Sequence, residues 1–450
     1  MLKTSAEQLR KGVNMAENIL VPKRILNTLL ASLSAGVVPR TGAPYIAIGR
    51  TLEIESICEN LKTVEEGGAF TRFIIGRYGS GKSFLIQLIR GYACDNDFVC
   101  ADADLSPERR LSASSGGAGV ATYRELIKNM STKSSSDGGA VTQILGRWLS
   151  DVRSEVASNG LIPGSEEFRS EVSKKIYSTL KEIETGIGAF DFSRVISKYD
   201  LAYEEGDDET MSSCLRWLRG EYRTKMEARN QIGVAAIIDD SNWYDYLKLW
   251  ASFVRKIGYK GFIVFIDECV NLYKIPNRIS RENNYEKILG IYNDTMQGKV
   301  EGMGVIFAGT PQFLEDTRRG LFGYDALRSR LYNTEVQQKN GKISQFNPVI
   351  RLVRLTDDEL LALIKRVSVL YSQKFGELNV TPEEMKEFLY IMLSRAGASE
   401  MMTPREIMRS YLNALDAVTQ GKSMREILDE LKPSKHETKT ESLDPETIKF

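Results

Sequence analysis

The sequence predicts an α/β fold: a central parallel sheet, interrupted by a largely helical insertion and followed by a small helical domain. Three observations predict it. From Tyr45 to about Thr356, short apolar runs alternate with helical patterns, and the runs are apolar on both faces, as in strands covered by helices on each side. Residues 105–260 separate two of those runs by far more chain than a single crossover helix requires. Beyond Leu355 the pattern is helical throughout, with Ser/Thr-x-x-Glu starts at Thr356 and Glu359, Thr381 and Glu384, and Thr403 and Glu406.

In chain order, residues 1–45 read as one or two amphipathic helices, with Leu26, Leu29, Leu30 and Leu33 at helical spacing before the breakers Gly36 and Pro39. Strands are expected at Phe73 to Ile75, Phe98 to Ala101, Phe262 to Ile266, Val305 to Ala308 and Val349 to Leu355. The insertion opens with two Ser/Gly-rich stretches, Ser112 to Gly119 and Ser131 to Gly139, which read as mobile loops around a short helix at Tyr123. All four tryptophans, Trp148, Trp217, Trp243 and Trp250, fall within it and are expected to anchor its core, a base-stacking surface being the alternative. The expected divisions are therefore an N-terminal segment 1–45, an α/β domain 46–355 carrying the insertion 105–260, a helical domain 356–431, and a charged, disordered tail 432–450.

Composition removes several functional classes. The 450 residues are 42% hydrophobic and 27% charged, a globular balance, and 60 basic residues meet 60 acidic ones. No chain-wide field draws the protein to DNA, so any nucleic-acid surface has to be local. The lone histidine, His436, lies in the tail, which argues against imidazole bases and imidazole metal ligands. Five scattered cysteines offer no C-x-x-C pair, which fits a reducing compartment. No apolar run approaches the length of a membrane span, and no signal core follows the N-terminal charges, so the expected location is the cytoplasm.

Gly76-Arg-Tyr-Gly-Ser-Gly-Lys-Ser83 matches G-x-x-x-x-G-K-[ST] between an apolar strand and a helix pattern that begins at Phe84. Glycines at 76, 79 and 81 let backbone N–H groups turn inward around phosphate oxygens, and a helix N-terminus adds partial positive charge. Lys82 reaches the β- and γ-phosphates of ATP, Ser83 supplies a hydroxyl to Mg²⁺, and Ser80 and Phe84 complete the expected contacts. The apolar run Phe262 to Ile266 leads into Asp267 and Glu268, where Asp267 holds the metal and Glu268 orients and deprotonates the attacking water; the bland alternative is a solvated acidic turn. Adjacent Cys269 reads as packing. The strand ending at Thr310 brings that residue or Gln312 to sense the γ-phosphate, unless Thr310 merely caps the strand. Arg330, with Arg328 second, is the candidate to neutralise a neighbouring subunit's γ-phosphate, ordinary surface pairing being the alternative. Arg405, after the cap Thr403 and Pro404, is placed to close over phosphates from a lid, or is a solvated helix-terminal arginine. Ile48 and Gly49 offer backbone to cradle adenine.

The order Gly49, Arg50 and Glu53, phosphate loop, Asp267-Glu268, polar strand tip, Ser329-Arg330 and Pro404-Arg405 resembles the AAA+ ATPases, especially the origin-recognition and clamp-loader branches. More closely, the chain resembles the P-loop ATP-binding proteins of bacterial phage-exclusion (BREX) loci, the BrxC/BrxD type. The likeness rests on Ser34 to Pro39, Asp104 to Arg110, Ala121 to Leu126, Asp267 to Tyr273 and Gly309 through Leu321. It implies an AAA+-like P-loop NTPase with a C-terminal helical lid, acting beside helicases or DNA-modifying proteins as a subunit of a defence machine. A homo-oligomer with a shared active site is expected. The alternatives are a nucleotide-gated switch with little turnover, and a DNA-loading ATPase like the replication initiators, for which Arg109, Arg110, Lys174 and Lys175 would be the local basic surface.

Overall fold

Apolar strands between helices do build a single parallel sheet. The computed structural model describes residues 20–113, 116–183, 188–332, 347–395 and 402–432; the expected tail beyond 432 and the first half of the N-terminal segment lie outside these. Five strands, β1 (Ala69–Gly76), β2 (Val99–Asp104), β3 (Phe262–Asp267), β4 (Met303–Gly309) and β5 (Val349–Leu352), stand in the order β2-β3-β4-β1-β5, every neighbouring pair parallel. Their carboxyl ends therefore share one edge. Register puts Ile75 beside Gly309, Gly76 beside Leu352, and Asp104 beside Asp267. β4 lies between β1 and β3, so the loop leaving β1 and the acidic pair closing β3 flank the tip of β4.

β3 and β4 are buried along their whole length, and β1 at every residue but the first. That explains their continuous apolar runs: helices Thr51–Glu65, Lys82–Asp95, Ala118–Lys128, Trp243–Lys256 and Arg278–Met296 pack on the sheet. β2 hides polar positions that sequence patterning discounts. Asp102 is answered by the buried Arg90 guanidinium at 2.9 Å, and the strand runs on to Asp104 because β3 continues beside it. β5 stops at Leu352, three residues before its expected end, because its partner β1 turns away at Gly76.

The connection from β2 to β3 carries seven helices among the described residues, from Ala118–Lys128 to Trp243–Lys256. Its tryptophans are core: Trp217, Trp243 and Trp250 are wholly buried and Trp148 nearly so. Edge-to-face contacts join Trp148 to Phe253 at 5.2 Å, Phe192 to Trp250 at 5.3 Å and Trp217 to Tyr246 at 5.4 Å, each pair adding about 0.5–1.5 kcal/mol beyond burial. Trp250 Nε1 donates to the Tyr123 hydroxyl, which donates to the Leu218 carbonyl, so these two polar tips are satisfied, whereas Trp243 Nε1 is buried without a hydrogen-bond partner. The Ser/Gly stretch after Ala118–Lys128 is not free at its start. Ser131 exchanges both backbone hydrogen bonds with Cys100 and forms an antiparallel bridge on the outer edge of β2.

The chain divides into two compact units, residues 50–354 and residues 20–49 with 355–432. In the second, helix Lys23–Ser34 buries Leu26, Leu29, Leu30 and Leu33 and ends where Gly36, at φ +68°, turns the chain left-handed. Helices Asp357–Phe375, Pro382–Leu393 and Pro404–Thr419 start on capping boxes at Thr356, Thr381 and Thr403, and Met424–Leu431 starts on a fourth at Ser423 and Glu426. Among the described residues no helix is long and apolar enough to cross a membrane.

Candidate functional site

The loop between β1 and helix Lys82–Asp95 is shaped by what its glycines omit. Gly79 and Gly81 hold φ of +75° and +89°, a region that costs a side chain and costs glycine nothing. A Cβ on Gly76 would lie 2.3 Å from Ser80 Oγ, so only glycine lets the loop fold back on the strand end. Gly81 is the helix N-cap and brings no side-chain acceptor, which leaves the first-turn N–H groups for an acceptor from outside. Ser80 Oγ is buried without a hydrogen-bond partner, and Lys82 Nζ donates to the Gly76 and Arg77 carbonyls at 3.0 and 3.1 Å. Burial lowers the Lys82 ammonium pKa, and the carboxylates of Asp267 and Glu268 oppose that shift.

Ser83 Oγ donates to Asp267 Oδ2 at 2.7 Å, joining residues 184 positions apart. The other carboxylate oxygen, Oδ1, accepts the Glu268 N–H at 2.7 Å, so Asp267, 7% exposed, is fixed by two donors. Glu268 is exposed and stands at φ +56°, one of two left-handed non-glycine residues among those described. Such a conformation costs on the order of 1 kcal/mol or more and persists only where surroundings impose it. The Cys269 N–H, bonded to the Ala308 carbonyl at 3.0 Å, anchors the turn on β4. Cys269 itself is packing: it is buried, and burial raises its thiol pKa far above the usual range.

Thr310 closes β4 as the N-cap of helix Pro311–Glu315, its hydroxyl accepting from the Phe313 N–H at 3.4 Å. Its capping role is thus occupied, while the hydroxyl proton is left to donate. Gln312 is exposed. Arg330 lies in the last turn of helix Asp325–Leu331, its guanidinium donating to Asn293 Oδ1 at 3.1 Å and to the Ala326 carbonyl at 2.6 Å. Arg328 is exposed beside it. Ile48, Gly49 and Arg405 belong to the second unit. There Gly49 presses on Glu359, whose Oε1 lies 2.2 Å from where a Cβ would sit, and Arg405 is exposed in the first turn of Pro404–Thr419.

Two residues that the family resemblance includes without a site role stand beside the loop in the structure. Asp104, paired in register with Asp267, has its carboxyl pKa raised to about 6 by burial first, then by Asp267, Asp102 and Glu268. An acidic residue closing a strand one position from the site was the available signal. Arg50, 4% exposed, donates from Nη2 to the Ser80 carbonyl at 2.8 Å and the Val353 carbonyl at 2.7 Å, and from Nη1 to Glu53 at 3.2 Å. The i,i+3 spacing of Arg50 and Glu53 was legible; the burial was not.

A glycine cradle, an orphaned buried hydroxyl and a serine–aspartate pair fit a polyphosphate with a divalent cation. Among the described residues no cluster of three or more acidic, cysteine or histidine side chains is arranged to hold a metal ion. A profile of BREX system ATP-binding proteins BrxC/D matches residues 21–430. The chain belongs to this BrxC/D family. ATP binding and a place among the subunits of a BREX defence system follow from membership. No curated protein matches the chain.

Proposed function

We propose that this BrxC/D protein is a Mg²⁺-dependent, AAA+-type ATPase subunit of a cytoplasmic anti-phage complex. The observation that carries the reading is the 2.7 Å bond between Ser83 and Asp267, which joins the phosphate loop to the acidic end of a strand two places away. Gly76, Gly79, Gly81 and the first-turn N–H groups of Lys82, Ser83 and Phe84 receive phosphate oxygens, and Lys82 exchanges its two carbonyl partners for the β- and γ-phosphates. Ser83 and Asp267 would hold the metal, which would supply positive charge to the phosphates. Glu268, exposed beside that pair, takes the proton of the attacking water. Thr310, whose hydroxyl oxygen accepts from the Phe313 N–H, donates its one hydroxyl proton toward the transferred phosphoryl group. Arg330 serves a neighbouring copy after releasing Asn293 and Ala326, and Arg405 acts from the helical lid; Ile48 and Gly49 line the adenine side.

Two variants test the reading. Lys82→Ala is expected to lower ATP affinity at least 100-fold in a fluorescent-nucleotide titration. Glu268→Gln is expected to bind ATP as the parent does and release phosphate at least 100 times more slowly. Parental turnover in Glu268→Gln removes the base assignment.

A further inference from the structure

We propose that Arg50 is a positioning residue that sets the peptide plane between Ser80 and Gly81 and so aims the Gly81 N–H at the phosphates, an inference that rests on the ATP-binding reading. In a trans peptide the carbonyl and the following N–H point in opposite directions. The Ser80 carbonyl is held by Arg50 Nη2 at 2.8 Å, so the Gly81 N–H faces away from the guanidinium. Gly81 is where the loop most needs such a restraint. At φ +89° it has no side chain to limit rotation, and the position of its missing Cβ lies 4.0 Å from Arg50 Nη2.

The other hydrogen bonds of Arg50 show what the loop is braced against. The same nitrogen reaches the Val353 carbonyl at 2.7 Å, one residue past β5, whose Leu352 pairs with Gly76 at the start of the loop. The two ends of the cradle are thus referred to one rigid strand. Glu53 at 3.2 Å, with both side chains nearly buried, cancels the charge, so the contribution of Arg50 is direction rather than field. A lysine offers no planar fork and cannot serve two carbonyls and a carboxylate in this arrangement.

The test uses the full chain with Arg50→Lys, and Arg50→Ala combined with Glu53→Gln so that no buried carboxylate is stranded. Fluorescent-nucleotide titrations are expected to show ATP and ADP affinities falling together, at least tenfold in the double variant and three- to tenfold in Arg50→Lys. The ATP-to-ADP ratio stays within twofold, because both ligands carry the β-phosphate, and the melting temperature of Arg50→Lys stays within about 2 °C of the parent. Crystals of nucleotide-free Arg50→Lys are expected to show the 80–81 peptide rotated. Affinities within twofold of the parent in both variants, or an unrotated peptide, overturn the proposal. A parent chain that binds neither nucleotide sinks the ATP reading instead, and the crystal comparison alone then decides the role of Arg50.

Discussion

Replacing Asp267 by asparagine separates the charge of this residue from its shape. The amide oxygen keeps the Glu268 N–H, now 2.7 Å from Oδ1, and the amide nitrogen turns its hydrogens on Ser83 Oγ, which becomes the acceptor at the present 2.7 Å. Two bonds to a carboxylate become two neutral ones, a loss of about 1 kcal/mol each. Against this, one carboxylate leaves the neighbourhood of Asp104, whose pKa moves from 3.8 to about 6 with Asp267 as the second cause after burial. That relief is about 0.5 kcal/mol once solvent screening at the exposed Asp104 is allowed for. The net cost to the fold is then about 1–2 kcal/mol, a shift of a few degrees in melting temperature. Nucleotide binding responds differently. With Mg²⁺ present the affinity for a fluorescent ATP analogue is expected to fall at least tenfold, about 1.4 kcal/mol. With the metal chelated, parent and variant agree within twofold. An Asp267→Asn protein with the parental dependence on Mg²⁺ would show that the Ser83–Asp267 pair is not the metal site.

Asp104→Asn is expected to stabilise the protein in a pH-dependent way. The folded-state pKa of about 6 lies above the 3.8 of the free side chain, so folding favours the protonated form. The contribution of Asp104 to stability is greatest below pH 4, falls between pH 4 and 6, and levels off above. The variant lacks that loss, so urea titrations show no difference at pH 4 and a gain of about 1 kcal/mol at pH 8, discounted for the exposure of the carboxyl. Gly76→Ala sets a Cβ 2.3 Å from Ser80 Oγ and 3.1 Å from Leu352 Cβ, an overpacking that costs about 1–3 kcal/mol. Adding Ser80→Gly removes the nearer clash, so the double variant is more stable in thermal melts than Gly76→Ala alone; a double variant no better than the single contradicts that packing.

Local order left strong traces in the sequence. The phosphate loop, the Asp267-Glu268 strand end and three capping boxes stand on short stretches whose side chains act within a few residues of themselves. Ser423 and Glu426 carry the same capping signal, a fourth of the kind, on an equally short stretch. What could not be read is non-local. The placing of β4 between β1 and β3 depends on pairings across hundreds of residues. The Gly49-Arg50…Glu53 pattern marks Arg50, but the Ser80 and Val353 carbonyls that close around it come from 30 and 303 residues away. The left-handed turn at Glu268 is imposed by the Cys269–Ala308 bond from the neighbouring strand, and no property of glutamate announces it. Asp102 and Asp104 break the apolar rhythm of β2 because one meets Arg90 and the other opens on the site.

The strand order also governs how the polypeptide emerges from the ribosome. β1 lies between β4 and β5, and Met303 follows Gly76 by 227 residues. At roughly 5–20 residues per second, its edges wait about 10–45 s for a partner, a window in which an unpaired apolar strand invites association with other chains. Until then only helices can cover it: Thr51–Glu65 and Lys82–Asp95 first, and Arg278–Met296 just before β4 itself. A minimal nucleotide-binding fragment therefore cannot be cut from the N-terminal third: it would keep the glycines and leave their supporting strand bare on both sides.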